Sequence, residues 1–132
     1  MIVDTSAVVA VLVGEPTRER LLVALDGAHE RGISAGTLLE LGIVIDRRGD
    51  ARLSRRLDSF LDRQEIVVHD VTAAQVAIGR AAYRDYGKGS GHPAGLNLGD
   101  CFAYALAIET RRPLLFVGDD FGHTDVERAL PA

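Results

Sequence analysis

The sequence predicts an α/β domain, a short-stranded parallel sheet covered on both faces by helices. Brief apolar runs at residues 1–4, 32–35, 66–68 and 114–117 have the length of buried strands. Longer stretches of helical periodicity separate them, and that alternation builds a parallel sheet sandwiched between helices. At 132 residues, 47% apolar and 26% charged, the chain suits one domain with one real core, spanning 1–132.

Taken in order, the first run ends on Asp4, and Thr5-Ser6 then offers an N-cap to a short apolar helix over 7–13, stopped by Gly14. Pro16 stands near a second helix start, with Leu21, Leu22, Ala24 and Leu25 at helical spacing up to Gly27. After the strand at 32–35, a helix over 37–48 is expected to turn Leu38, Leu39, Leu41 and Ile45 inward, with Gly49 just past its end. Asp50 caps the next helix, whose apolar stripe is Leu53, Leu57, Phe60 and Leu61. The third strand follows, then a helix capped by Thr72 that runs to about Tyr86 and ends at Gly87. Residues 88–95 form a glycine-rich loop. The most apolar helix comes next, through Ile108, before Arg111-Arg112-Pro113 breaks it and the fourth strand runs into Gly118-Asp119-Asp120-Phe121.

Composition removes several classes. No apolar run is long enough to span a bilayer, and Met1-Ile2-Val3 leads straight to Asp4 with no leader-like pattern. The single cysteine, Cys101, leaves no internal disulfide and no CxxC zinc site, and its apolar setting makes it a packing residue. A cytoplasmic protein without membrane association is the expectation. The formal charge of −4 is not that of a general nucleic-acid binder, but Arg47, Arg48, Arg52, Arg55, Arg56 and Arg63 concentrate positive charge locally. Arg52 and Arg56 are candidate contacts to nucleic-acid phosphates; pairing such as Arg55–Asp58 along a solvated helix is the structural alternative.

In parallel sheets, ligands gather outside the carboxyl ends of the strands. Asp4 and Asp119 follow strands, while Glu40 and Asp100 sit in the first turns of predicted helices, so all four acids can meet along one edge. Clustered carboxylates repel one another unless cations neutralise them. With no lysine nearby and no His–Cys grouping, Mg²⁺ or Mn²⁺ is the natural ion, suited to activating water for attack on a phosphodiester. Each acid also has a structural reading: Asp4 as a cap, Asp100 in a capping box with Asn97, Glu40 answering a helix dipole, Asp119 in a turn. Ser6 either hydrogen-bonds a site carboxylate or serves as a plain cap.

Asp4-Thr5-Ser6-Ala7, Thr37-Leu38-Leu39-Glu40, Asn97-Leu98-Gly99-Asp100-Cys101 and Gly118-Asp119-Asp120-Phe121 resemble PIN domains, and most closely the VapC-type toxins of toxin–antitoxin pairs. The resemblance covers nearly the whole chain in the right order. It implies a PIN-like α/β/α sandwich and a Mg²⁺- or Mn²⁺-dependent endoribonuclease that forms a homodimer. It also implies a VapB-type antitoxin that covers the acidic site and binds operator DNA together with the toxin. Carried over, Asp4 and Asp100 match the principal metal ligands, Glu40 the acid that completes the site, and Asp119 the fourth, more variable acid, with Asp120 beside it. The chain departs from the pattern at Val117, where many relatives carry lysine, and at Ser90-Gly91, where they carry arginine. Two other classes compete. An aspartyl-phosphate site needs a lysine near Asp4, and the only lysine is Lys88 in the loop. A non-catalytic binding module would leave the acids without a purpose.

Overall fold

The computed structural model describes residues 1–132. Four strands, β1 (Ile2–Val3), β2 (Gly32–Ser34), β3 (Val67–His69) and β4 (Leu114–Leu115), form one parallel sheet in the order β3-β2-β1-β4. Six helices connect and cover them: α1 (Thr5–Val13), α2 (Arg18–Gly27), α3 (Ala35–Asp46), α4 (Ala51–Arg63), α5 (Ala73–Tyr86) and α6 (Leu98–Thr110). A 3₁₀ turn, Asp120–His123, follows β4. The expected α/β/α architecture is therefore present.

Successive residues of a strand face opposite sides, and here each side has its own apolar cluster. Val3, Ile33 and Leu115 pack with α1 to α4, through Val8, Leu21, Leu41, Ile45, Leu57 and Phe60. Ile2 and Leu114 pack the other way, with Leu96, Ala103, Leu106 and Phe121. Strands of two or three residues suffice because both faces are buried. The edge strand is the exception, with Val67 58% and Val68 49% exposed.

Several expectations shift in detail. Asp4, not Thr5 or Ser6, caps α1, because its carboxylate accepts from the Ser6 backbone. Ser34 caps α3, starting that helix at Ala35 and moving Glu40 from its first turn into its second. Leu39 is 67% exposed: Leu38, Leu41 and Ile45 define the inward stripe, and the residue after Leu38 is rotated away from it. The caps at Asp50 and Thr72 form as expected. Beyond β4, Arg128 bridges Leu114 in parallel, with Leu114 N donating to Glu127 O at 2.8 Å and Ala129 N to Leu114 O at 2.9 Å. The C-terminal segment is thereby pinned along the free edge of β4.

Candidate functional site

Asp4 leaves the end of β1 and enters the interior, 3% exposed. One carboxylate oxygen, Oδ2, accepts from Ser6 N at 3.0 Å and Ser6 Oγ at 2.6 Å. The other, Oδ1, is buried without any partner. Burial pushes this carboxyl above the usual range, the Ser6 hydrogen bonds pull against that, and the charge of Glu40 adds to the rise. Ser6 does more than cap, since its Oγ also accepts from Val117 N at 3.0 Å. The hydroxyl thus ties the exit of β1 to the segment after β4.

Asp100 shows the same division of labour. It forms a complete capping box with Asn97: Asp100 N donates to Asn97 Oδ1 at 2.9 Å, and Asn97 N donates to Asp100 Oδ2 at 3.0 Å. The structural reading of this acid is correct, and it does not use the whole carboxylate. Burial raises its pKa to about 6; the Asn97 hydrogen bond opposes that rise, and the charges of Asp4, Asp120 and Glu40 reinforce it. Asp100 is therefore within electrostatic reach of three other acids.

Glu40 arrives from α3, its Oε1 accepting from Thr5 Oγ1 at 2.6 Å. The rest of its carboxylate lies against the α-carbon of Gly99, where any Cβ would overlap it. A second close approach lets α3 reach α6, because the Phe102 ring occupies the space a side chain at Gly36 would need. The sequence reading missed Thr5 and Gly99 as supporting residues. Their only sequence signal is position, one residue after Asp4 and one before Asp100.

Asp4, Ser6, Glu40 and Asp100 line one cleft of about 390 Å³, with Thr5, Asn97 and Val117. Glu15 joins the lining as an acid the sequence reading did not single out. No cation lines this cleft. Asp119 instead lines the adjoining depression across Val117, whereas the charge of Asp120 reaches Asp100. No three His, Cys, Asp or Glu side chains close into a cage around one point. The arrangement is open, with oxygen donors and a buried Asp4 oxygen lacking a partner. Such a donor set fits Mg²⁺ or Mn²⁺, which bind through one or two carboxylates and keep waters, and does not fit a thiolate or imidazole metal.

The basic face lies elsewhere. Arg47, Arg48, Arg52, Arg55, Arg56 and Arg63 are all exposed. The alternative of ion pairing along α4 is not seen: the only ion pairs in the chain are Arg84–Asp85 and Arg112–Glu30. Cys101 is buried, with its thiol pushed up to about 11, as befits packing. Tyr104 is buried too, its hydroxyl donating to Asp125 Oδ1 at 2.5 Å.

Fold and site together define a small parallel α/β domain with an acidic cleft outside the carboxyl ends of its strands. The PIN domain family model matches residues 1–127. Ribonuclease VapC28 of Mycobacterium tuberculosis is 54% identical over 130 residues, 98% of each chain. Among solved structures, VapC20 of Mycobacterium tuberculosis, described as a sarcin–ricin loop cleaving toxin, superposes with a TM-score of 0.75 at 16% identity, covering 98% of each chain. VapBC2 from Rickettsia felis, bound to a fragment of promoter DNA, gives a TM-score of 0.71 at 17% identity, covering 96% of this chain and 94% of that one. The chain belongs to the PIN-domain family, among its VapC ribonucleases.

Proposed function

We propose that the protein is a Mg²⁺- or Mn²⁺-dependent endoribonuclease, the toxin of a toxin–antitoxin pair, which hydrolyses RNA phosphodiesters at the acidic cleft. The carrying observation is the buried, unpartnered Oδ1 of Asp4 in a cleft walled by Glu40 and Asp100. A buried acceptor with no partner costs about 1–3 kcal/mol, and more when charged, so a cation facing it removes a standing penalty.

Asp4 and Asp100 hold the ion in this reading, each offering the carboxylate oxygen that its helix cap leaves free. Ser6 fixes the Asp4 carboxylate in orientation, and Thr5 does the same for Glu40. The fourth charge comes from the Asp119–Asp120 pair; the reach of Asp120 to Asp100 supports Asp120 over Asp119. Bound there, Mg²⁺ supplies Lewis-acid activation of water and neutralises charge at the phosphate. Exposed, unpaired Arg52 and Arg56 are proposed to hold RNA phosphates away from the cleft.

A VapB-type antitoxin, a homodimer and operator DNA bound through the complex complete the proposal. The Rickettsia felis neighbour, a VapBC pair bound to promoter DNA, supports the antitoxin and the DNA. Val76, Tyr83 and Leu98 expose apolar surface along a groove between α5 and α6, area that a dimer would bury. No helix is long and apolar enough to cross a membrane, and a cytoplasmic location is proposed.

The test is RNA cleavage by the purified protein with Mg²⁺ and with a chelator, alongside Asp100→Asn, Asp119→Asn and Asp120→Asn. The reading expects chelator-sensitive cleavage, abolished by Asp100→Asn and reduced more by Asp120→Asn than by Asp119→Asn. Chelator-resistant cleavage, or full activity in Asp100→Asn, overturns it.

A further inference from the structure

An acidic cleft is a poor place for a polyanion to settle unaided. Its lining holds Asp4, Glu15, Glu40 and Asp100 and no cation. The strand therefore needs positive charge immediately beside the cleft. Across the single side chain of Val117 lies a second depression of about 250 Å³, to which Arg20 and Arg128 both contribute. We propose that Arg20 and Arg128 form a phosphate subsite, gripping a backbone phosphodiester of the RNA that flanks the one in the cleft.

Both guanidinium groups are free to do so, since neither takes part in an ion pair. The only side-chain hydrogen bond of Arg20 goes to the carbonyl of Pro131, at 3.3 Å. Arg128 is held without being neutralised. Its backbone is pinned to β4, its guanidinium carbon lies 5.2 Å from the centroid of the Phe116 ring, and its tip rests against the α-carbon of Gly122. Stacking of this kind orients the planar fork and leaves donors for phosphate oxygens. Thr17 lines the same depression and adds a buried hydroxyl that has no partner. The one carboxylate side chain in that lining, Asp119, is exposed and engages neither arginine in an ion pair.

This inference rests on the ribonuclease reading for its substrate, but the binding arm of its test does not depend on cleavage. Binding of a fluorescein-labelled single-stranded RNA is measured by anisotropy in EDTA, across a range of salt, for the wild type and for Arg20→Gln/Arg128→Gln. Two lost phosphate contacts are expected to flatten the slope of log K against log salt by about 1.4 and to weaken binding by about tenfold at moderate salt. Arg20→Lys/Arg128→Lys, which keeps charge, should recover most of the slope. In Mg²⁺, the Gln pair should raise KM by a larger factor than it lowers kcat. That KM effect should vanish on a substrate trimmed to end at the scissile nucleotide on the side facing Val117. An unchanged salt slope, or an equal KM effect on the trimmed RNA, overturns the subsite. A flatter slope in the Gln pair together with a wild type that cleaves no RNA overturns the ribonuclease reading and leaves the subsite standing.

Discussion

Replacing Asp4 by Asn should stabilise the metal-free protein while removing its response to Mg²⁺. The amide oxygen of Asn can keep both hydrogen bonds from Ser6, at 3.0 and 2.6 Å. The NH₂ then takes the place of the partnerless Oδ1, in a cleft whose other walls carry the Glu40 and Asp100 carboxylates as acceptors. Removing a buried, unpartnered acceptor recovers about 2 kcal/mol in the middle of the usual range. For a domain of this length the unfolding entropy is about 0.28 kcal/mol/K, so the gain corresponds to about 7 °C in Tm. Saturating the wild type with Mg²⁺ at about ten times its dissociation constant adds about 1.4 kcal/mol, about 5 °C, to that protein alone. Thermal melts in EDTA and in Mg²⁺ should thus show the Asp4→Asn variant well above wild type in the first and only slightly above it in the second. A variant that melts at or below wild type in EDTA refutes the reasoning, as does an equal Mg²⁺ shift in both proteins.

Raised carboxyl pKa values have a definite sign in stability. Asp100, at about 6 in the folded protein against 3.8 unfolded, binds its proton more tightly when folded, so its contribution is full below about pH 3.8 and is lost as pH rises through 6. Metal-free melts should therefore fall between about pH 4 and 6, while the Mg²⁺-induced shift and the cleavage rate rise as pH passes through about 6; a Mg²⁺ shift independent of pH would contradict this. Ser6→Ala strips Asp4 of its hydroxyl donor and leaves Val117 N without a partner, and should weaken Mg²⁺ binding by about 10–100-fold in titration calorimetry. Unaltered affinity would show that the hydroxyl does not orient the site. Gly99→Ala drives a methyl into the Glu40 carboxylate, and should raise the Mg²⁺ concentration needed for half-maximal cleavage, with an unchanged value counting against Glu40 as part of the site.

The features legible in the sequence were those with local causes. Asp50 and Thr72 cap the residues just after them, and Leu53, Leu57 and Phe60 repeat at helical spacing. Asp4, Glu40 and Asp100 could be brought together because a parallel sheet places all its strand ends on one edge. The details that escaped depend on residues far apart in the chain. Thr5 meets Glu40 across 35 positions, and Ser6 meets Val117 across 111. Leu39 failed for a different reason: two adjacent leucines fit the same local pattern, and only packing decides which turns inward. Asp119 lines the neighbouring depression while the charge of Asp120 is felt at Asp100, a division set by the turn after β4 that no spacing rule describes. The Asp100 capping box carries a broader lesson, because the cap engages only one oxygen of the carboxylate and leaves the other free for the proposed metal.

The most direct test of the central claim is anomalous diffraction from crystals of the protein grown or soaked in Mn²⁺. The account predicts a manganese peak in the cleft, within coordination distance of Asp4 Oδ1 and of the Asp100 carboxylate. A cleft without anomalous signal at saturating Mn²⁺, or a peak that avoids Asp4, would contradict it.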